Sequence, residues 1–277
     1  MSTGWMALPL LLITSTIVFV VIIAAEVFSY VFSLQTGAPF SYTDLVRTIA
    51  PTILIYSLAA FALNIIISYM IYRLVKRRNS HFARQNLLYE DLTNAAEEIT
   101  TGRGTRSGAS IGLNNLDRIS KEARVYETEK NAVLWVILTM AGTSLPSAAL
   151  VTASASPGLL PFFAVLYVYY FLMKDFFRHE RREDQFIREL LGVLSISGVS
   201  VSLPLRNPSM SERSFALYII LSVVTLGFFW VYWVYVLLND PNNHFRQQAS
   251  IEDTLMVQMS TLLASPPASS LPPAPQA

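Results

Sequence analysis

His81, His179 and His244 are the three histidines of this chain, and each lies twelve residues after a tyrosine, Tyr69, Tyr167 or Tyr232. Three imidazoles brought to one point can bind zinc and leave a coordination position open. Glu183, sixteen residues after Tyr167, would then be a further ligand or would hold one in place. A plainer chemistry fits the same spacing, with each imidazole near a membrane surface bonding a headgroup, a carbonyl or a carboxylate. Equal offsets alone do not make the three converge. Beyond that zinc, nothing in the sequence asks for a cofactor.

A second candidate is Glu26, one of three charged residues between Met1 and Ile71 with Asp44 and Arg47. A carboxylate inside a membrane is costly and faces a partner or a water-filled path. Asn64 and Thr139 are the polar residues expected to share such a path. The sequence contains no HExxH, and "GRGTRSG" lacks the G-K-[ST] ending of a phosphate loop, so it reads as a flexible turn. Cysteine is absent, which removes disulfides, thiolate metal sites and thiol nucleophiles. No enzyme is expected.

The elements that must carry these residues follow from the spacing. Aligning the three tyrosines also aligns Tyr72, Tyr170 and Tyr235, then Leu74, Leu172 and Leu237, and later Leu92, Leu190 and Leu255. Leu88, Phe186 and Ile251 fall into register too, as do Gln85, Glu183 and Gln248. The successive offsets keep one face of a helix at about 100° per residue. Each copy is therefore a long helix leaving a membrane, its tyrosine pair at the headgroup level. Asp240 and Pro241 interrupt the third copy, and they suit the start of a new helix.

With 53% hydrophobic and 14% charged residues, the chain is too apolar for an ordinary soluble domain. Apolar runs at 6–33, 48–75, 132–152, 158–176 and 214–238 approach or exceed the ~20 residues that cross a bilayer. The fold class expected is all-α: a polytopic membrane protein of five or six spans in three internal repeats, with a small cytoplasmic helical bundle. The count turns on "LLGVLSISGVSVSLPL", 190–205, as a short or re-entrant span, or on a reversal of 214–238 at "TLG". The organisation reads as a transmembrane hairpin (1–78), a cytoplasmic helical hairpin (79–131) and a second transmembrane hairpin (132–178). A cytoplasmic helix with the short apolar segment (179–212) follows, then the last transmembrane segment (213–240). An amphipathic helix (241–263) and a disordered Pro-rich tail (264–277) complete it. In the cytoplasmic hairpin the second helix is expected to begin near Leu113, bury Leu116, Ile119, Ala123 and Tyr126, and run unbroken into the span at Ala132.

Eleven Lys and Arg in 73–130 and five in 174–188, against Arg47 alone in the 34–47 loop, put the charged loops and the N-terminus in the cytoplasm of a cell-membrane protein. The first apolar run, with no Lys or Arg before Arg47, reads as a retained span rather than a signal peptide. Lys76, Arg77 and Arg78 read as anchors on anionic lipid headgroups, beside the interfacial tyrosines Tyr69, Tyr72, Tyr167, Tyr170, Tyr232 and Tyr235. A net charge of +1 provides no surface for nucleic acid.

Segment 217–240, with Thr225, Leu226 and Gly227 before Tyr232 and Trp233, resembles an uncharacterised family of small prokaryotic membrane proteins. In that family an apolar run, T-L-G and a Y-W pair precede a polar helix. The resemblance implies the membrane fold and no particular activity. Two functions stand side by side. One is a non-enzymatic structural or accessory component that contacts other membrane proteins, or further copies of itself, through cytoplasmic helices. The other is a small channel or transporter built around Glu26.

Overall fold

The computed structural model describes residues 3–37, 39–141, 159–205 and 207–264. After a single 3-10 turn (Thr3–Met6) come α1 (Ala7–Gln35), α2 (Tyr42–Gly102) and α3 (Arg106–Tyr126). Then follow α4 (Ala132–Ala141), α5 (Leu159–Ile196), α6 (Phe215–Val224) and α7 (Phe228–Ala264). The fold is all-α, with no strand among the described residues. α1, together with the turn before it, and α2 are long and apolar enough to cross a membrane, whereas α4 and α6 are apolar but shorter. Most of the expected 132–152 span and the Pro-rich tail from 265 onward lie outside the described residues.

The chain divides into two compact units, and the division falls inside α2, α5 and α7. The first comprises Met1–Leu74, Asn131–Phe171 and Ser214–Leu238. Here α1 and α2 form an antiparallel hairpin: Phe19 stacks on Tyr56 at 4.0 Å, Thr52 bonds Glu26, and the Tyr30 hydroxyl donates to the Ser41 carbonyl. Leu10, Val21, Phe28, Phe32, Leu54 and Leu58 are all exposed. A helix apolar all round is a core helix or a membrane span, and α1 buries only Pro9.

The stretch 213–240 is not one straight span. Thr225 caps both sides of a break, its hydroxyl donating to the Leu221 carbonyl and accepting from the Phe229 amide. Leu226 (φ 50°) and Gly227 (φ 93°) take the left-handed backbone that reverses the chain, the second at no steric cost. Tyr218 then packs on Phe229 and Trp233, and Phe215 on Trp233.

The second unit, Val75–Lys130, Leu172–Arg213 and Asn239–Ala277, is a helical bundle. Its core joins Tyr89, Leu92, Ala96 and Ile99 of α2 to Leu116, Ile119 and Ala123 of α3, Phe186, Leu190 and Leu194 of α5, and Ile251, Leu255 and Met259 of α7. Segment 190–205 owes its apolar character to this packing. Leu190, Val193 and Leu194 end α5 in the core, and Val199, Val201 and Leu203 lie against it.

Three details of the bundle depart from expectation. α3 starts at Arg106, because only residues 103–105 form the turn. That turn is tied rather than loose: Gly104 takes φ 69°, the Thr105 amide donates to the Thr100 carbonyl, and the Thr105 and Ser197 hydroxyls bond at 2.8 Å. α3 also stops at Tyr126, which is 69% exposed, and does not run into α4. The break at 127–131 frees backbone carbonyls for other work, since Thr128 and Lys130 accept from Arg78 and Asn79. Finally, α7 passes through Pro241 without a break. Proline removes one backbone bond from the helix, but buried Leu237, Leu238, Asp240 and His244 hold both sides of the gap. Asp240 caps no new helix and pairs instead with Arg213 at 2.8 Å.

Candidate metal centre

Each histidine lies on a long helix with a buried leucine two turns before it and another three turns after it. Leu74 and Leu92 bracket His81 on α2, Leu172 and Leu190 bracket His179 on α5, and Leu237 and Leu255 bracket His244 on α7. All six leucines are buried. With the flanking turns pinned, the three imidazoles meet. His81 Nε2 lies 3.1 Å from His179 Nε2, and one ring nitrogen from each residue lies within 4.8 Å of the others. The ring centroids are 4.9, 5.4 and 5.5 Å apart, with planes between 78° and 85° to one another. The three residues are 6%, 0% and 1% exposed, so water does not compete for their nitrogens.

Carboxylates surround the cluster. Glu127 Oε1 lies 3.0 Å from His179 Nδ1 and also pairs with Arg182. Glu180 Oε1 lies 3.4 Å from His244 Nδ1, and Glu183 Oε2 lies 3.8 Å from His244 Nε2. Glu180 further accepts from the Ser209 amide and hydroxyl and from the Met210 amide. Burial alone would raise its pKa, but the bonds from His244, Ser209 and Met210 outweigh burial and pull it down to about 2. Glu180 is thus a firmly ionised anchor.

His81 has the opposite environment. Burial first, then His179, His244, Arg84 and Arg77, hold its pKa far below the ordinary histidine value, and the ring is neutral. Arg84 is engaged with Glu252 at 3.4 Å, and Arg77 with Asn242 and the face of Phe245. Aromatic rings close the cluster from outside: Phe82 stacks on His179 at 4.7 Å and Phe245 lies 4.3 Å from His81. One turn further along, Gln248 donates to Gln85 across the bundle.

The other candidates fare differently. Glu26 finds Thr52 at 2.6 Å rather than Asn64, because Asn64 is twelve residues further along α2, about 18 Å by helical rise. The Thr139 hydroxyl donates to the Trp135 carbonyl of its own helix. The tyrosine pairs share one geometry, their centroids 6.2 to 6.4 Å apart and the first ring of each exposed: 48% for Tyr69, 46% for Tyr167 and 44% for Tyr232.

Lys76 is exposed, but Arg78 is no lipid anchor. It is wholly buried, bonding Asp175 at 2.7 and 2.8 Å and the carbonyl of Thr128. A basic run beside an apolar span looks the same in sequence whether its arginine turns outward or inward. Glu127, Glu180, Arg182 and Ser209 were not singled out from sequence. Glu180 follows His179 directly, yet its link to His244 depends on the bundle's tertiary path.

Residues 213–269 match the model of a family described as a domain of unknown function (DUF4234). The match takes in the T-L-G turn, Tyr232, Trp233 and His244. No curated protein and no solved structure matches the chain.

Proposed function

We propose that this is a polytopic membrane protein of three related hairpin units, acting as a non-enzymatic structural or accessory component through its cytoplasmic bundle. One observation carries the reading: each apolar excursion of the chain returns to where it left. Trp5 lies 6.1 Å from Tyr69, Lys130 3.9 Å from Asp175, and Arg213 2.8 Å from Asp240. A straight helix over the 27 residues from Arg213 to Asp240 would hold them about 40 Å apart. Three excursions, each ending at a tyrosine pair and a histidine helix, fit three copies of one plan. The third is shallower, since the ten residues of α6 rise only about 15 Å, half a bilayer core.

The bundle pairs interior polar groups with one another, as in Arg78–Asp175 and Glu127–Arg182. Its surface carries exposed Leu87, Ile111, Val125, Tyr126, Met256 and Val257. A partner meeting this surface is what an accessory component requires. Gentle detergent extraction followed by native mass spectrometry tests it. A stoichiometric companion that is lost on Tyr126→Ala and Val257→Ser, with the fold intact, supports the reading. A lone chain or symmetric oligomer, unaffected by those changes, overturns it.

The transport reading keeps one observation of its own. Glu26 Oε2 is buried without a hydrogen-bond partner, beside a groove of about 220 Å³ lined by Phe19, Ile22, Thr52 and Tyr56. Ion flux in liposomes that disappears in Glu26→Gln would favour it.

A further inference from the structure

We propose that His81, His179 and His244 bind one divalent transition-metal ion of the zinc type, with Glu183 completing the coordination. The proposal is independent of the accessory reading, because it concerns the bundle's interior and not its partners.

The placement of the ring nitrogens motivates it. His179 turns Nδ1 toward Glu127 and Nε2 toward His81, whose own Nε2 lies 3.1 Å away. His244 turns Nδ1 toward Glu180 and Nε2 toward Glu183. His244 Nε2 is buried and without a hydrogen-bond partner. The Glu183 carboxylate lies 3.8 Å from it, too far for a hydrogen bond and suited to a shared cation.

An ion between the rings meets that need. Zn–N bonds of about 2.0–2.1 Å in a tetrahedron set the nitrogens about 3.3 Å apart. The His81–His179 pair is already near this separation, and the remaining nitrogen lies within 4.8 Å. The bonds from Nδ1 to Glu127 and Glu180 are the arrangement that fixes ligand tautomer and ring orientation around metals. Three imidazoles with a carboxylate suit zinc and its neighbours, and not calcium or magnesium, which take all-oxygen shells. With the ligands buried and phenylalanines outside, the site is closed. It joins α2, α5 and α7 at one level and leaves no open position for catalysis.

The test uses the full chain in detergent, stripped with a chelator, reloaded with Zn²⁺ alone or Co²⁺ alone, and gel-filtered. We expect one ion per chain by elemental analysis, and intense visible bands from Co²⁺ in a four-coordinate nitrogen-rich site. Glu183→Gln should weaken retention at least about 10-fold, the least that loss of even an outer partner of a ligand costs, and shift those bands. His81→Asn with His179→Asn should abolish retention, with circular dichroism reporting whether the helices persist. The wild-type result stands whether or not that variant folds. Wild type that emerges without metal after loading, or Co²⁺ bands unchanged by Glu183→Gln, would overturn the proposal as stated.

Discussion

At the scale of single residues, the sharpest contrast lies between what Arg78 looked like and what it does. In "KRRNSH" it reads as a lipid anchor, but its guanidinium is buried on Asp175, Asn79 and Thr128. Removing one partner of a buried ion pair strands the other charge, typically at about 3–5 kcal/mol. Asp175→Ala should therefore lower the thermal midpoint in detergent by many degrees, while Lys76→Ala, at an exposed site 4.0 Å from Glu129, should barely move it. Equal small effects would return Arg78 to the lipid surface. The same contrast explains what was legible about the site. The histidines share an offset on helices of one period, so their convergence had a one-dimensional trace. Glu127 had none, because it reaches His179 from the non-helical link after α3.

At the scale of elements, long periodic helices could be read well and their junctions poorly. The stripe Leu92, Ile99, Leu116, Ile119 and Ala123 is buried as its spacing predicts. The ends of α3 and the passage of α7 through Pro241 were decided by tertiary bonds that sequence does not show. One junction between elements is tight enough to test. A Cβ on Gly112 of α3 would lie 2.5 Å from Cγ2 of Val193 on α5, and valine cannot swing clear in a helix. Gly112→Ala should destabilise by about 1–3 kcal/mol through overpacking, more than offsetting its gain in helix propensity. Gly192→Ala, also helical but with nothing within 4 Å, should stabilise by up to about 1 kcal/mol. Chemical denaturation of both variants separates the cases. If both stabilise, α3 and α5 do not approach as closely as described.

At the scale of the whole molecule, the open question in the sequence was whether 214–238 crosses once or turns back. A plain apolar run supports either, and hydropathy counts residues without seeing direction. The turn chemistry at Thr225–Gly227 and the Arg213–Asp240 pair favour the return. That choice sets the side on which α7 ends. The absence of cysteine makes single-cysteine labelling clean. Thr36 sits after α1, Ser107 at the start of α3 and Val257 on α7, and all three are exposed. With a membrane-impermeant maleimide, Thr36→Cys should label in intact cells, whereas Ser107→Cys and Val257→Cys should label only after permeabilisation. A single crossing by 214–238 would put Val257 with Thr36 instead. Labelling of Thr36 and Ser107 from one side would mean that α2 does not cross at all, and the hairpin plan would fail at its first copy. Only the result with Val257 beside Ser107 leaves all three histidine helices on one face of the membrane, where a shared centre can form.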